Sequence, residues 1–442
     1  MRKRYVQVGI GGRSYLYSEA IVGPYSQYAT LVGICDTNPG RMELRNERLR
    51  NQTDSVRNFD IPMYLAQDFD RMLKEQEPDT VIVTSMDCTH HEYICRAMEA
   101  GCDVITEKPL TIDAEKCQSI IDTVRRTGRQ LRVTFNYRYS PARSLVKQIL
   151  QAGTIGKILS VDFFWNLNTS HGADYFRRWH RYKKNSGGLL VHKATHHFDL
   201  VNWWLSAIPE EVYCRGARVF YRPEQAERYG LSRRTERCLT CGDTDRCKFF
   251  LDLKAYPDLK RLYLDQEKYD FYYRDRCVFA SDIDIEDTMN AVVSYNTGAI
   301  LSYALNAFTP WEGYAISFNG TGGRLEHTCV ESVYISGDGT EPGEMLKKGT
   351  SITVHPHFNQ SYSVPIPEAK GGHGGGDQIL LDDLFLPGRP VDPLKRAAGL
   401  GAGACSILVG VAANQSIKTG KSIRIRDLVS EIPDPEYPEM KD

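Results

Sequence analysis

From Tyr5 to about Arg132, short apolar runs alternate with helix-length segments, the pattern of a parallel α/β sheet. Val6-Gln7-Val8-Gly9-Ile10 reads as the first strand and Leu31-Val32-Gly33-Ile34-Cys35 as the second. Thr80 to Thr84 is a buried strand, followed by a helix through Tyr93 to Met98. Gly101 stands where a helix C-cap is wanted, before the strand Asp103 to Thr106. The pattern predicts an α/β fold whose first domain, residues 1–132, is a doubly wound parallel sheet of the Rossmann type.

Beyond Asn136 the texture changes. Ile158 to Trp165 and Asn290 to Asn306 are long, alternating and rich in Tyr, Phe and Ser, as suits strands of an antiparallel sheet with one covered face. Residues 133–442 are therefore expected to form an α+β domain with a large, mostly antiparallel open sheet. A polar stretch rich in Arg and Tyr, at about 214–280, reads as an insertion. The run Gly371 to Gly376 begins a final helical section that includes Ala397 to Ala413.

The 55 Lys and Arg against 56 Asp and Glu leave a net charge of −1, so no positive excess draws the chain to nucleic acid or anionic lipid. Its expected partner is a small molecule. Met1-Arg2-Lys3-Arg4 mimics the start of a signal peptide, but Gln7 and the glycines from Gly9 onward break the apolar stretch that should follow. The apolar run Ile407 to Ala413 falls short of the ~18 residues that span a bilayer. No membrane association and a cytoplasmic location are the expectation.

Directly after the first strand comes Gly9-Ile10-Gly11-Gly12-Arg13-Ser14, a glycine fingerprint with Ser14 where a third glycine is usual. Such glycines let the backbone approach a pyrophosphate, whose charge the following helix N-terminus stabilises. A glycine pair after a strand is equally an ordinary tight turn. Asp36, at the end of the second strand, adds an acid placed to bind ribose hydroxyls. Together they point to NAD. A carboxylate there repels a 2′-phosphate and disfavours NADP, although Arg13 and Arg41 soften that preference.

Three further segments carry chemistry: Thr84-Ser85-Met86-Asp87-Cys88-Thr89-His90, then Glu107-Lys108-Pro109, then Gly187-Gly188 through His192-Lys193-Ala194-Thr195-His196-His197-Phe198-Asp199. With these motifs the chain resembles the Gfo/Idh/MocA oxidoreductase family over most of its length. The strand ending at Thr106 delivers Glu107 and Lys108 to the carboxyl edge of the sheet, where open α/β folds bind ligands. Lys108 can there hydrogen-bond a substrate hydroxyl and stabilise a developing oxyanion. The resemblance makes His196 a general acid/base and places Thr84, Asp87, His90, Glu107, Lys108 and Asn136 beside the cofactor. It places Arg138, Trp179 and Asp199 toward substrate. Lys193 and His373 are candidate donors to substrate hydroxyls, although His373 reads equally well as a solvated loop residue.

Two departures stand out. His192 occupies a position where the family commonly has an aspartate, and His180 replaces a common arginine. On one helix His192 and His196 would share a face, so both are candidate catalytic residues. A metal held by this pair has Asp199 as its nearest third ligand. The family chemistry needs none.

Cys238-Leu239-Thr240-Cys241, Cys247 and Cys277 offer up to four thiols for a structural zinc ion. Free buried thiols are the main alternative, with an iron–sulfur centre or a disulfide as the remaining ones. Either way the cluster staples the insertion rather than doing hydride chemistry.

The expected function is NAD-dependent hydride transfer to or from a hydroxyl carbon of a sugar, glycoside or polyol. One alternative is an NAD-dependent glycosidase acting by transient oxidation, elimination and re-reduction. Another is a non-catalytic sugar- or NAD-binding regulator. The resemblance also implies a homo-oligomer, dimer or tetramer.

Overall fold

A computed structural model gives the structure of the protein and describes residues 2–52, 60–331, 349–368 and 372–441. The first sheet has six parallel strands: β1 (Lys3–Val8), β2 (Ala29–Asp36), β3 (Met63–Leu65), β4 (Thr80–Val83), β5 (Asp103–Thr106) and β6 (Leu131–Val133). Their spatial order is β3-β2-β1-β4-β5-β6. All four residues of β4 and the last four of β1 are buried. Helices cover both faces, which is why these strands read as unbroken apolar runs. Chain order reverses between β1 and β4, the switch point at which open α/β sheets bind ligands.

The second sheet is built from β7 (Ile158–Asn168), β8 (Pro209–Ala217), β9 (Thr288–Tyr295), β10 (Ile300–Thr309), β11 (Gly313–Gly320), β12 (Gly323–Val330), β13 (Ser351–Pro356), β14 (Tyr362–Ser363) and β15 (Ile423–Arg424). The order is β14-β13-β12-β11-β7-β10-β9-β8-β15, antiparallel except where β7 meets β10. Residues 290–306, expected as one strand, form the β9–β10 hairpin, turned at Gly298 with φ 85°. In β7 Val161, Phe163 and Trp165 face the core, and Asp162 and Phe164 are exposed.

Helix Leu400–Thr419 is long and apolar enough to cross a membrane, but most of it is buried against β8 and helix Ala194–Leu205. Helix Gly376–Phe385 returns to the first sheet, where the Phe385 ring centroid lies 5.4 Å from those of Tyr5 and Tyr25. The expected insertion lies between β8 and β9 as turns and short helices. Its segment Leu251–Tyr263 has a small apolar cluster of its own.

Candidate active site

The loop after β1 is built around glycine. Gly9 has φ +86°, and a Cβ there would stand 2.4 Å from the Ser85 backbone nitrogen, so only glycine fits. A Cβ on Gly11 would meet nothing within 4 Å, which leaves open space above the backbone where a pyrophosphate would lie. Ser14 faces away from that space: its hydroxyl donates to the Gly11 carbonyl at 2.6 Å and accepts from Arg45 at 2.8 Å. It shapes the loop through its side chain. Asp36 ties β2 to the same loop, accepting from the backbone N–H of Ile10 and, at 2.8 Å, of Asn38. Burial pushes the Asp36 carboxyl up, and Arg41 opposes that shift. These features fit a dinucleotide with Asp36 at the ribose.

Thr84 closes the other lip by donating to the Gly9 carbonyl at 2.6 Å. His90 corrects an expectation, because its ring nitrogens lie 2.8 Å from the Pro109 carbonyl and 3.1 Å from the Ser85 carbonyl with the ring buried. It braces the Glu107-Lys108-Pro109 turn and has no nitrogen left for a cofactor. Glu107 accepts from Arg13 at 2.8 Å and from Tyr17 at 2.7 Å. Burial would raise its carboxyl, but Arg13 and Lys108 overcome this and hold it below the usual glutamate range. Asn136 donates to Asp377 at 2.7 Å, an acid on the returning helix that also stands 3.4 Å from Arg13.

Lys108 Nζ lies 3.2 Å from the His192 carbonyl oxygen. Desolvation lowers its pKa to about 8 against the opposing pull of Asp87 and Glu107, with Lys193 adding to the decrease. His192 Nδ1 stands 2.5 Å from Asp87 Oδ2. Burial, then the positive charge of Lys108, keeps the His192 ring well below its ordinary pKa. Burial also raises Asp87, with Lys108 opposing. The pair thus holds a proton between two groups that both resist net charge.

His192 and His196 do not lie on one unbroken helix. Leu189–His192 is a single turn, and Lys193 separates it from helix Ala194–Leu205. His196 stacks on Tyr137 with centroids 4.1 Å apart. Lys193 donates to the Tyr137 hydroxyl at 3.1 Å and lies over Trp165. Trp179 stacks on His180 at 3.6 Å, and His180 in turn meets the His192 ring at 4.2 Å.

Arg138 and Asp199, expected at substrate, are spent on each other. Arg138 makes hydrogen bonds of 2.7 and 2.6 Å to Asp199, and the two side chains are 0% and 1% exposed. They are a core ion pair. The His373 side chain lies outside the described residues.

Sequence reasoning missed a chain of polar contacts beside His192. Tyr175 lies 5.6 Å from it, ring to ring, and its hydroxyl is 3.0 Å from His171 Nε2, whose Nδ1 is 2.9 Å from Glu312. These residues come from helix Thr169–Arg177 and the β10–β11 turn, and no local motif joins them.

Cys238, Cys241, Cys247 and Cys277 line one small cavity with Phe249 and Phe279, and all four are free. Among the described residues no three His, Cys, Asp or Glu side chains are arranged to hold a metal ion, so the zinc expectation is not supported. Burial pushes Cys238 up to about 11 and also raises Cys247 and Cys277, which favours neutral thiols.

Residues 3–135 match the family model of the oxidoreductase NAD-binding Rossmann fold, and 147–425 match that of the oxidoreductase C-terminal α/β domain. An oxidoreductase-family protein of Bacillus subtilis (strain 168), YteT, is 36% identical over 440 residues, covering 96% of this chain and 98% of its own. The scyllo-inositol 2-dehydrogenase (NAD(+)) of the same organism is 27% identical over 227 residues, 51% of this chain and 60% of its own. Among solved structures, the aldose-aldose oxidoreductase of Caulobacter crescentus aligns with TM-score 0.61 at 14% identity, covering 96% of this chain and 100% of its own. The WlbA dehydrogenase of Bordetella pertussis aligns with TM-score 0.62 at 18% identity, covering 96% of this chain and 99% of its own. With both domains matched and the glycine loop, Asp36 and Lys108 gathered at one sheet edge, the chain belongs to the Gfo/Idh/MocA oxidoreductase family and carries its NAD-binding Rossmann domain.

Proposed function

We propose that the protein moves a hydride between nicotinamide and a hydroxyl-bearing carbon of a sugar, glycoside or polyol, with Lys108 and His192 handling the proton. The observation that carries this is the placement of Lys108 Nζ, 3.2 Å from the His192 carbonyl, beside the His192–Asp87 pair at the carboxyl edge of the first sheet. The nicotinamide supplies the hydride acceptor. A neutral Lys108 amine accepts the hydroxyl proton as the carbon is oxidised, and the resulting ammonium stabilises charge on the oxygen. A group whose pKa sits at about 8 can do this in both directions near neutral pH. His192, paired with Asp87, takes the proton onward. Trp179, 5.9 Å from the His192 ring, and Lys193, next to His192 in the chain, are the candidates to orient substrate hydroxyls.

A polyhydroxylated substrate is supported by the relatives, which include a scyllo-inositol dehydrogenase. NAD rather than NADP is supported by Asp36 and by Arg41, whose guanidinium is engaged by Asp270 at 2.7 Å. A second reading, redox-assisted glycoside cleavage, is favoured by one observation: His192 with Asp87 adds a base that could remove the proton next to a transiently oxidised carbon. A second copy of the chain covering the open sheet face, where Phe164, Tyr213 and Val292 are exposed, fits a homo-oligomer.

The test is a screen for NAD reduction over free sugars, glycosides and polyols, with Lys108→Ala as control. The substrate found should lose about 10²–10⁴-fold in kcat with the variant. Full activity in Lys108→Ala sinks the proposal. Glycoside turnover without net NADH selects the second reading.

A further inference from the structure

Beside Asp36, the acid at the ribose end of the groove, two opposite charges from different parts of the chain meet. Arg41, in the first turn of helix Pro39–Gln52, has Nη1 4.0 Å from Asp36 Oδ1 but only 2.7 Å from Asp270 Oδ2. Asp270 belongs to the insertion, and its other oxygen accepts from the Tyr272 backbone N–H at 3.2 Å. Arg41 Nε donates to the Leu262 carbonyl at 3.3 Å, and the guanidinium carbon lies 5.7 and 5.8 Å from the ring centroids of Tyr263 and Tyr272. The insertion thus draws the guanidinium off Asp36 and covers it, leaving its side chain 10% exposed. Its Nη2 is buried with no hydrogen-bond partner, so part of its donor capacity is unused.

The insertion is seated firmly enough to hold Arg41 there. Asn38 donates to the Gln266 carbonyl at 3.1 Å, and a Cβ on Gly40 would fall 1.9 Å from Gln266 Oε1. From behind, Arg237 makes hydrogen bonds of 2.9 and 2.5 Å to Glu267, and Arg274 pairs with buried Asp174 at 2.8 and 2.7 Å. Two other arginines near the glycine loop are engaged: Arg13 by Glu107 and Asp377, and Arg45 by Ser14 and Ser18. A 2′-phosphate on the ribose would stand by Asp36, which repels it, and an arginine is the group that accommodates such a phosphate. Arg41 is the guanidinium beside Asp36, and a guanidinium pairs with phosphate through two parallel hydrogen bonds.

We infer that Asp270 sets the choice of dinucleotide: by holding Arg41 under the insertion it withdraws the cation that would offset Asp36, and the site rejects a 2′-phosphate. This rests on the NAD-dependent reading above and adds to it a determinant outside the Rossmann domain. The glycine loop and Asp36 bind what the two dinucleotides share, and the insertion decides between them.

The test is titration calorimetry of the purified full chain with NAD and with NADP, read as the ratio of the two dissociation constants. The unaltered protein should favour NAD. Asp270→Asn keeps the shape of the side chain but releases Arg41, and the ratio should move toward NADP by about tenfold or more, as a gained Arg–phosphate contact gives. Asp270→Asn/Arg41→Ala should lose that gain. Arg41→Ala alone should leave the ratio where it was, because Arg41 is already withdrawn, and it answers the question if melting curves show that Asp270→Asn folds poorly. An unmoved ratio in folded Asp270→Asn overturns the inference. So does a gain that survives the loss of Arg41, or a sharp loss of NADP binding in Arg41→Ala alone. If NAD binds and only these ratios go against expectation, the role of Asp270 alone fails. If neither nucleotide binds, the oxidoreductase reading fails with it.

Discussion

Asp87 Oδ2 lies 2.5 Å from His192 Nδ1, joining the loop after β4 to the turn before helix Ala194–Leu205. The contact spans the two domains. Asp87→Asn keeps the shape but cannot exchange a proton with the ring. We expect kcat to fall about 10²-fold with KM little changed. A role confined to structure would instead lower thermal stability and leave kcat intact, so steady-state kinetics and melting curves together decide.

Lys108, lowered by burial to about 8, sets the pH dependence. Below this value the amine is protonated and cannot accept the hydroxyl proton. In the oxidative direction kcat/KM should therefore rise with pH and level off above about 8. In the reductive direction the ammonium is the donor, and the rate should fall above the same value. Opposite limbs in the two directions are the signature; identical limbs would remove Lys108 from the proton transfer.

Arg138→Met should destabilise the fold by about 3–5 kcal/mol, because it leaves Asp199 as an uncompensated buried charge. Adding Asp199→Leu should recover much of the loss. Denaturant unfolding measures both. If Arg138 bound substrate instead, the single variant would keep its stability and raise KM.

The Cys238 cluster predicts indifference to chelators. Elemental analysis should find well under one zinc per chain, and EDTA should leave the melting temperature unmoved. Stoichiometric zinc would mean that the thiols close on a metal when one is present.

Asp36→Ala should weaken NAD binding about tenfold, in line with loss of a charge-assisted hydrogen bond, and should weaken NADP less. Titration calorimetry with both nucleotides checks the ratio.

Much of this was legible in the chain. The apolar runs located β1, β2, β4 and β5, because a buried parallel strand has no polar face to confuse the pattern. The Gly9 turn and the Glu107-Lys108-Pro109 corner were legible because backbone geometry and sheet edge position constrain them locally. Arg138 and Asp199 misled, since charge suggests a ligand until burial reveals that the two charges satisfy each other. His90 misled for the same reason, its nitrogens being taken by carbonyls from Ser85 and Pro109. In the Tyr175–His171–Glu312 chain, His171 and Tyr175 are four apart on one helix, but Glu312 lies far off in sequence and meets them only once β7 and β11 pair, so no local motif announced the chain.

Gly40 shows how far the insertion reaches. It sits in the helix Pro39–Gln52, where a larger residue would ordinarily be welcome, yet a methyl there would require the Gln266 side chain, and with it the Tyr269 ring, to turn aside. The two sites are therefore coupled through side chains of the insertion. A chain without the insertion would accept alanine at this position and gain helix propensity, whereas here Gln266 must first turn aside.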